Sequence, residues 1–286
     1  ATYVERQTEL CTIAAHNFPA LDLNHISVRN DDGVAYLEAM SPVDCIFLDP
    51  ARRNEHGGKT VAISDCEPNV AKLEGLLLSK ANRIMIKLSP MLDLSQALKE
   101  LPHTQEVHII SVNNECKELL LLLGQTAPEE IPVHCVNLST KGEQEKQLFV
   151  FTREQEQHSE CSYTDTLGNY LYEPNASLLK AGAFRSIAAA YSVKKLHPNS
   201  HLYTSETQIE GFPGRTFRII NRCSLNKKEI KENLSDLKKA NITVRNFPAT
   251  VAELRKRIKL AEGGDTYLFA STLNDGQKIL IRCGKV

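Results

Sequence analysis

The sequence predicts a doubly wound α/β domain followed by two smaller α+β units. Short apolar runs bounded by turn residues, such as residues 45–48 and 83–87, alternate with segments of helical spacing, such as residues 70–78. This alternation is typical of strands covered on both faces in a mostly parallel sheet. Two further runs, residues 133–138 and 147–152, are joined by a glycine-containing segment and predict a closing antiparallel pair.

The elements of the first domain follow from apolar spacing and turn residues. The first strand occupies residues 1–4, and Pro19 is expected to end the helix at residues 7–17. The polar segment 52–59 contains glycine and predicts a mobile lid or an insertion. The other expected elements are strands at residues 26–28, 45–48, 83–87 and 108–112, and helices around residues 35–37 and at 70–78, 92–101 and 115–123.

Residues 153–163 are polar and aperiodic and predict a linker. We therefore expect a first domain at residues 1–155, a small α+β module at residues 164–213 and a last domain at residues 214–286. Asn274-Asp275-Gly276 predicts a tight hairpin in the last domain. The expected elements are helices at residues 175–191, 226–240 and 251–259, and strands at residues 202–204, 216–220, 242–246, 267–271 and 278–282.

Composition disfavours several classes of protein. The eight cysteines form no CxxC pair, so a zinc site or a disulfide framework is not expected, and reduced thiols fit the cytoplasm. No apolar stretch is long enough to span a bilayer, and the first residues show no signal-peptide pattern. We predict neither a metal site nor a membrane association. Because the chain begins at Ala1 directly in a strand-like segment, we also expect upstream elements of the first domain to be missing.

An acid and a proline stand where the predicted strand at residues 45–48 ends. Asp49 follows the apolar run, and Pro50 sets the direction of the chain because its ring restricts φ. In open α/β sheets, ligands bind beyond the carboxyl ends of the strands. We therefore expect Asp49 to line a ligand-binding crevice. The alternative is a surface Asp-Pro turn that only ends the strand.

Acidic residues follow three successive predicted strands. Glu5 comes after the first strand, Asp31 and Asp32 come after the second, and Asp49 comes after the third. In a Rossmann-type site the first of these acids holds ribose hydroxyls, the next can bind an adenine amino group, and the third faces the reacting end. The alternative for Asp31 and Asp32 is an ordinary turn followed by a helix cap.

The order and spacing of several motifs carry a family resemblance. The motifs are Val4-Glu5, Asn30-Asp31-Asp32-Gly33 with Tyr36-Leu37, Phe47-Leu48-Asp49-Pro50-Ala51-Arg52, Lys87-Leu88-Ser89-Pro90, Tyr170-Leu171-Tyr172-Glu173-Pro174 with Ala181-Gly182-Ala183, and residues 254–260 followed by the closing hairpin. Together they cover most of the chain. The sequence resembles the class I S-adenosyl-L-methionine (SAM)-dependent methyltransferases, and more closely the bacterial group with a THUMP-like domain at the C-terminus.

The resemblance implies an α/β fold in three parts. The first is a Rossmann-like methyltransferase domain that lacks its first strand and SAM loop. A small α+β ferredoxin-like module and an α+β THUMP-like domain follow. The resemblance also implies SAM as the cofactor and RNA as the substrate. By analogy Glu5 contacts the SAM ribose, Asp32 or its neighbour Asp31 contacts the adenine, and Asp49-Pro50 line the methyl-transfer site.

The chain departs from the family pattern at three places. No GxG segment follows a strand, so the glycine-rich loop that cradles the methionine end of SAM is absent. Ala51 and Arg52 stand where enzymes that methylate base amino groups carry a second proline and an aromatic residue. Leu88-Ser89-Pro90 stands where related enzymes that methylate pyrimidine C5 carry a cysteine, which disfavours a cysteine-dependent mechanism.

Basic residues in the predicted C-terminal helices indicate RNA binding, because lysine and arginine neutralise phosphates. The alternative is a solvated helix face, and the net charge of −1 argues against a strong nonspecific binder. Lys87 could pair with Asp49 or Glu5 instead of facing a substrate phosphate. The expected RNA-binding residues are Arg52, Lys87, Arg255, Lys256, Arg257 and Lys259.

The sequence as a whole predicts a SAM-dependent methyltransferase that acts on RNA, of which this chain is an incomplete fragment. The alternative from a different class is a non-catalytic RNA-binding module on a degenerate Rossmann scaffold. A nucleotide-dependent dehydrogenase is disfavoured, because no glycine fingerprint follows any predicted strand.

Overall fold

The computed structural model describes residues 1–52, 63–140 and 146–286. These residues form two compact units, one of Ala1–Val107 with Glu118–Ile131 and the other of His108–Lys117 with Pro132–Val286. The predicted lid at residues 52–59 lies almost entirely outside the described residues, as does Arg53. None of the helices in the described ranges combines the length and hydrophobicity needed to cross a membrane.

The first twelve elements in the described part of the chain are eight strands and four α-helices, with a short 3-10 turn at Ile63–Asp65 between β4 and β5. They are β1 (Thr2–Glu5), α1 (Thr8–Ala20), β2 (Ser27–Asn30), α2 (Gly33–Ala39), β3 (Val43–Leu48), β4 (Ala51–Arg52), β5 (Cys66–Glu67), α3 (Val70–Lys80), β6 (Ala81–Leu88), α4 (Leu94–Glu100), β7 (Thr104–Val112) and β8 (Glu115–Gly124). The helix at α1 was expected to end before Pro19 but continues through it to Ala20.

Parallel pairing in the first unit gathers strand ends at common edges. β1 pairs with β2 in parallel, with Glu5 opposite Asn30. β3 pairs with β6 in parallel, and β6 pairs with β8 in an antiparallel arrangement. The core beneath these strands contains the fully buried side chains of Leu77 on α3 and Ile84 and Ile86 on β6. This arrangement confirms the predicted α/β class and places the acids that follow β1 and β3 at carboxyl ends of strands.

The segment at residues 115–123 was expected to be a helix, and this expectation is wrong. It forms β8, in which Leu119, Leu121 and Leu123 are fully buried and alternate with less buried residues. Asn113 and Asn114 have φ values of 50° and 64°, the left-handed conformation that both central residues of a tight hairpin turn require. The turn and the pairing with β6 override the helical preference of the leucine run.

The run at residues 45–48 was expected to be covered on both faces, and this expectation is also wrong. β3 is the last strand of its sheet. Its Phe47 side chain is 58% exposed, and the Cys45 thiol is exposed as well. One face of β3 is exposed at Cys45 and Phe47, whereas Ile46 and Leu48, which alternate with them, are partly buried. The principal strand contact of α3 is with β6.

Within the ranges that the structure describes, the second part of the chain contains fourteen strands and helices. The hairpin that the sequence predicts at residues 267–282 is present. The elements are β9 (Pro132–Leu138), β10 (Lys146–Thr152), α5 (Arg153–His158), β11 (Tyr170–Pro174), α6 (Ala176–Ala181), α7 (Ser186–Ala190), β12 (Lys194–Lys195), β13 (Tyr203–Ser205), β14 (Gly214–Cys223), α8 (Lys227–Leu234), β15 (Asn241–Arg245), α9 (Val251–Ile258), β16 (Thr266–Thr272) and β17 (Lys278–Lys285).

A seven-stranded sheet organises the second unit, with the strand order β12-β13-β11-β14-β17-β16-β15. β15 and β16 are parallel, and the other neighbours are antiparallel. One apolar cluster includes Phe217 and Phe269. A second includes Leu234 of α8 and Leu254 of α9, which therefore pack their apolar residues against the sheet. β9 and β10 form the predicted antiparallel pair in this unit.

Two predicted helices are shorter than expected. The helix at residues 175–191 is divided into α6 and α7, because Gly182 ends α6 in the left-handed conformation with φ 78°. The helix at residues 226–240 ends at Leu234 in α8. In these two segments the helical periodicity of the sequence therefore predicts where helices form, whereas local termination signals determine where each helix ends.

The predicted linker at residues 153–163 instead begins with helix α5, which is held against α7. Thr152 caps α5, with Gln155 completing a capping box. Glu156 of α5 accepts hydrogen bonds from the backbone N–H groups of Phe184, Arg185 and Ser186, at 3.0, 2.8 and 2.8 Å, and from the Ser186 hydroxyl. The carboxylate thus satisfies N–H groups at the start of α7 that the helix itself leaves unpaired.

We expect Glu156→Ala to lower the free energy of unfolding by about 2 kcal/mol, because several N–H groups would lose a charged acceptor. Chemical denaturation followed by circular dichroism measures the effect. Glu154→Ala is the matched control, since Glu154 is an exposed acid on the same helix. Equal effects of the two substitutions would show that the contact with α7 contributes nothing.

Candidate functional site

Asp49 and Lys87 meet at the carboxyl ends of two adjacent parallel strands. Leu48 lies opposite Ile86 in the β3–β6 register, so the residues that follow them fall at the same edge. The Lys87 ammonium group lies 2.7 Å from Asp49 Oδ2 and 3.8 Å from Glu118 Oε2. Of the alternatives left open by the sequence, the pairing of Lys87 with Asp49 is the one observed.

The pairing with Asp49 stabilises the charged form of Lys87. The hydrogen bond with Asp49 raises the pKa of Lys87, against a smaller lowering by burial. The side chain of Asp49 remains 53% exposed, so the carboxylate can accept a further hydrogen bond from a ligand. Pro50 is partly buried directly after it. The backbone of Arg52 pairs with Cys66 in a short antiparallel ladder, whereas its side chain is outside the described part.

Glu5, Asp31 and Asp32 lie together at the carboxyl ends of β1 and β2. The Asp31 N–H donates to the backbone oxygen of Glu5 at 3.2 Å. The Glu5 carboxylate accepts a hydrogen bond from the Gln7 N–H at 2.8 Å through Oε1. Asp32 caps α2, because its Oδ1 accepts from the N–H groups of residues 34 and 35 at 2.9 and 3.0 Å. The helix-cap alternative is thus realised for Asp32, whose Oδ2 is left for other contacts.

These carboxylates fit the nucleoside part of a cofactor such as SAM. Glu5 is partly buried and its carboxylate also accepts a hydrogen bond from Tyr3, while Asp31 is exposed and uses Oδ1 for the Asp32 N–H at 2.8 Å. Carboxylate oxygens accept protons from ribose hydroxyls and from an adenine amino group. These carboxylates serve only the nucleoside part of SAM. The chain has no GxG segment of the kind that binds the methionine end.

The four predicted RNA-binding residues near the end of α9 fall into two groups. The guanidinium of Arg255 is within 3.4 Å of the backbone oxygens of residues 240 and 260, and that of Arg257 donates to the Leu225 oxygen at 2.8 Å. Lys256 and Lys259 are exposed, and their ammonium groups have no partner within the described ranges. The two arginines therefore support the fold locally, and the two lysines are accessible to an anion.

A buried carboxylate that sequence analysis did not single out joins three strands of the second unit. Glu173 on β11 is 2% exposed. Its Oε1 accepts from Arg245 Nη2 at 2.9 Å, and its Oε2 accepts from Arg215 Nε at 2.9 Å and from Arg215 Nη2. The two guanidinium groups are 36% and 39% exposed. Glu173 thus fixes the guanidinium groups of Arg215 and Arg245, and the three side chains together carry a net positive charge.

His201 is held neutral near this cluster. Burial, followed by the positive charges of Lys195 and Arg245, lowers the pKa of His201 from 6.5 to about 4. Its ring stacks on Phe184 with centroids 3.6 Å apart. The unfolded chain therefore binds a proton at a higher pH than the folded chain does.

This shift predicts a loss of stability in acid. As the pH falls from about 6.5 to about 4, unfolding becomes more favourable, because only the unfolded state gains the proton on His201. His201→Asn, which suits the φ of 52° at this position, is expected to flatten the decrease. Melting temperatures measured across this pH range test the prediction. His158→Asn serves as the control, because His158 is exposed. If the melting temperature of His201→Asn decreased with falling pH as steeply as that of the wild type, the prediction would be contradicted.

The histidines of the second unit include a contact that the sequence did not reveal. The ring of His108 on β7 stacks on that of His134 on β9, with centroids 4.4 Å apart and planes 7° apart. Neither the spacing nor the composition of these strands signals the pair, because the two residues are brought together only by strand pairing.

Family models match the C-terminal part of the chain. A model described as a ferredoxin-like domain matches residues 170–213, and one described as THUMP domain-like matches residues 214–285. These matches agree with the predicted resemblance in this region. No curated protein matches the chain significantly.

A solved structure resembles the whole chain. It is the crystal structure of a "putative methyltransferase from Porphyromonas gingivalis W83", which is 38% identical, covers 100% of this chain and 71% of its own, and superposes with a TM-score of 0.90. A "modification subunit of a putative type I restriction enzyme from Vibrio vulnificus YJ016" is 11% identical, covers 57% of this chain and 45% of its own, and has a TM-score of 0.35. The second likeness is too low to support an argument.

Proposed function

This chain belongs to the methyltransferase family of the Porphyromonas gingivalis protein, with ferredoxin-like and THUMP-like domains at its C-terminus, and we propose that it transfers a methyl group from SAM to RNA. The observation that supports the proposal most is the likeness to that protein over the full length of this chain. The carboxylates at the ends of β1, β2 and β3 agree with it, because they stand where a nucleoside and a reacting group can be bound. The free cysteines agree with a cytoplasmic location.

The cofactor supplies an electrophilic methyl group bound to a sulfonium. On this proposal the Glu5 carboxylate holds the ribose hydroxyls, and Asp31 or the Oδ2 of Asp32 accepts a hydrogen bond from the adenine amino group. Asp32 is positioned for this role by the cap of α2, which fixes its side chain.

Asp49 acts at the reacting end. Its carboxylate accepts a hydrogen bond or a proton from the RNA group that receives the methyl group, and Pro50 fixes the direction of the chain beside it. Lys87 is a positioning residue in this scheme, because its ammonium group lies 2.7 Å from Asp49 Oδ2 and holds that carboxylate in place. Correct placement of the acceptor supplies much of the rate.

The C-terminal domain aids RNA binding. The ammonium groups of Lys256 and Lys259 on and after α9 are exposed and can contact phosphates. Arg52 and Lys87 remain proposed RNA contacts beside the reacting end. Arg255 and Arg257 remain proposed contacts through the N–H groups that their backbone acceptors leave over.

A second candidate is a non-catalytic RNA-binding module. The observation that favours it is the lack of a GxG segment for the methionine end of SAM. In this case the chain would bind RNA and would neither bind SAM nor transfer a methyl group.

Transfer of a tritiated methyl group from SAM to total RNA tests the proposal. The assay compares this chain with a version extended to the length of the Porphyromonas gingivalis protein, of which this chain covers 71%. We expect label in RNA with the extended version. Label in protein or small molecules but not in RNA would contradict the RNA substrate, and RNA binding without any transfer would favour the second candidate.

A further inference from the structure

A polar cleft of about 560 Å³ lies within the second unit, where β9 and β10 meet the beginning of α6 and the segment 208–216. Three amide side chains, those of Asn137, Gln147 and Asn175, lie side by side along it, and we call it the amide cleft. Asn137 and Asn175 are buried, with exposed fractions of 9% and 1%. Buried amides in contact with one another form a rigid polar floor when their hydrogen bonds are satisfied.

Backbone donors fix the orientation of the three amides. The N–H of Asn114 donates to Asn137 Oδ1 at 3.0 Å, and the N–H of Leu178 donates to Asn175 Oδ1 at 3.2 Å. A backbone N–H can only donate, so these side-chain atoms are oxygens, and the NH₂ groups of both asparagines face Gln147. Gln147 Oε1 accepts from Asn137 at 3.2 Å and from Asn175 at 3.0 Å.

The floor of the amide cleft therefore offers donors only. The Ser111 hydroxyl also donates to Asn137 Oδ1 at 2.8 Å, and the Ser177 hydroxyl donates to Asn175 Oδ1 at 2.6 Å. Each of the three amide oxygens therefore accepts two hydrogen bonds. The NH₂ group of Gln147 donates to the Gly214 oxygen at 3.1 Å. Among the described residues each amide nitrogen finds one acceptor, which leaves its second hydrogen for a ligand. A ligand that meets this floor must bring acceptors.

Cations line the rim of the amide cleft. Arg215 is held by Glu173 through Nε and Nη2, and no described residue accepts from its Nη1. Lys285 is exposed, and the side chains of Lys285 and Gln208 have no hydrogen-bond or ion-pair partner in the described part of the chain. Glu210 is the acidic side chain that lines the same cleft. Glu173 fixes the guanidinium of Arg215 and leaves its Nη1 to the cleft, and the Lys285 ammonium is exposed beside it; both groups can donate to a phosphate.

We propose that the amide cleft binds one nucleotide unit of RNA, with the phosphate at Arg215 and Lys285 and the base against the amide floor. This inference rests on the proposed RNA substrate and adds a specific place where the strand is held. A base with carbonyl acceptors matches a floor of N–H donors, whereas an amino group of adenine would face donors. We therefore expect uridine to bind better than adenosine.

The test measures fluorescence anisotropy of labelled single-stranded decamers of uridine and of adenosine with the whole 286-residue chain. Lys285→Glu is expected to weaken uridine decamer binding by about tenfold or more, since it replaces a phosphate partner by a repelling charge. Lys278→Glu is the matched control, with the same charge change at the other end of β17. Gln208→Ala provides a second variant at an exposed position, expected to weaken binding by about threefold.

The outcomes separate this site from the proposed function. Weakening by Lys285→Glu and Gln208→Ala but not by Lys278→Glu supports the site. Tight RNA binding with equal effects of both lysine variants overturns the site and leaves the proposed function standing. Binding of free uridine monophosphate that depends on Lys285, without RNA binding, supports the site with a free nucleotide as its ligand and contradicts the RNA substrate. Binding of neither probe overturns both.

Discussion

Replacing Asp49 by alanine is expected to lower the rate of methyl transfer to RNA by at least about 100-fold, with little change in RNA affinity. The substitution removes the carboxylate that would contact the methyl acceptor, and it leaves Lys87 without the partner at 2.7 Å that fixes its position. The RNA contacts proposed on the C-terminal domain are unaffected. Transfer of tritiated methyl groups and anisotropy of labelled RNA measure the two quantities separately.

Asp44→Ala is the matched control, because Asp44 is an exposed acid on the same strand β3. We expect it to retain the wild-type rate. Asp49→Asn separates charge from shape, because the amide can still accept a hydrogen bond through its oxygen but cannot take up a proton. Full activity of Asp49→Ala would exclude a catalytic role for this residue, whatever the RNA affinity.

Replacing Glu173 by alanine is expected to lower the free energy of unfolding of the second unit by about 3 kcal/mol, because the guanidinium groups of Arg215 and Arg245 lose their shared partner. We choose the lower end of the usual range, since both guanidinium groups are more than a third exposed and can regain water. Urea denaturation followed by circular dichroism measures the change.

The control for Glu173 is Asp236→Ala. Asp236 also forms a bidentate pair with an arginine, Arg282, at 2.9 and 2.7 Å, but its side chain is 62% exposed. We expect a much smaller effect there, because water screens an exposed pair. A Glu173 variant as stable as the Asp236 variant would show that burial of the carboxylate adds nothing to the stability of the sheet.

In the first unit, the sequence predicted where strands end better than it predicted which strands pair with one another. Glu5, Asp31 and Asp49 lie at carboxyl ends of parallel strands as expected, because apolar runs and turn residues are local signals. β8 was missed, since leucine favours a helix in isolation and only the pairing with β6 decides otherwise. The exposure of β3 was missed for a similar reason, because the run of apolar residues does not reveal its place in the sheet.

Contacts between distant residues limited the prediction of sites. Asp49 and Lys87 were weighed as a pair, because both end predicted strands. Glu173 was noted only as part of a motif, since its partners are 42 and 72 residues away in the sequence. The amides of the cleft carry no sequence signal either, because isolated asparagine and glutamine residues are ordinary in turns and at helix caps.

Isothermal titration calorimetry measures whether this protein binds SAM through Glu5. The titration compares this chain, the version extended to the length of the Porphyromonas gingivalis protein, and the extended version carrying Glu5→Ala. We expect binding by the extended version and at least about tenfold weaker binding by its Glu5 variant, since the ribose hydroxyls lose their acceptor. Absence of SAM binding by the extended version, or binding unchanged by Glu5→Ala, would contradict this expectation.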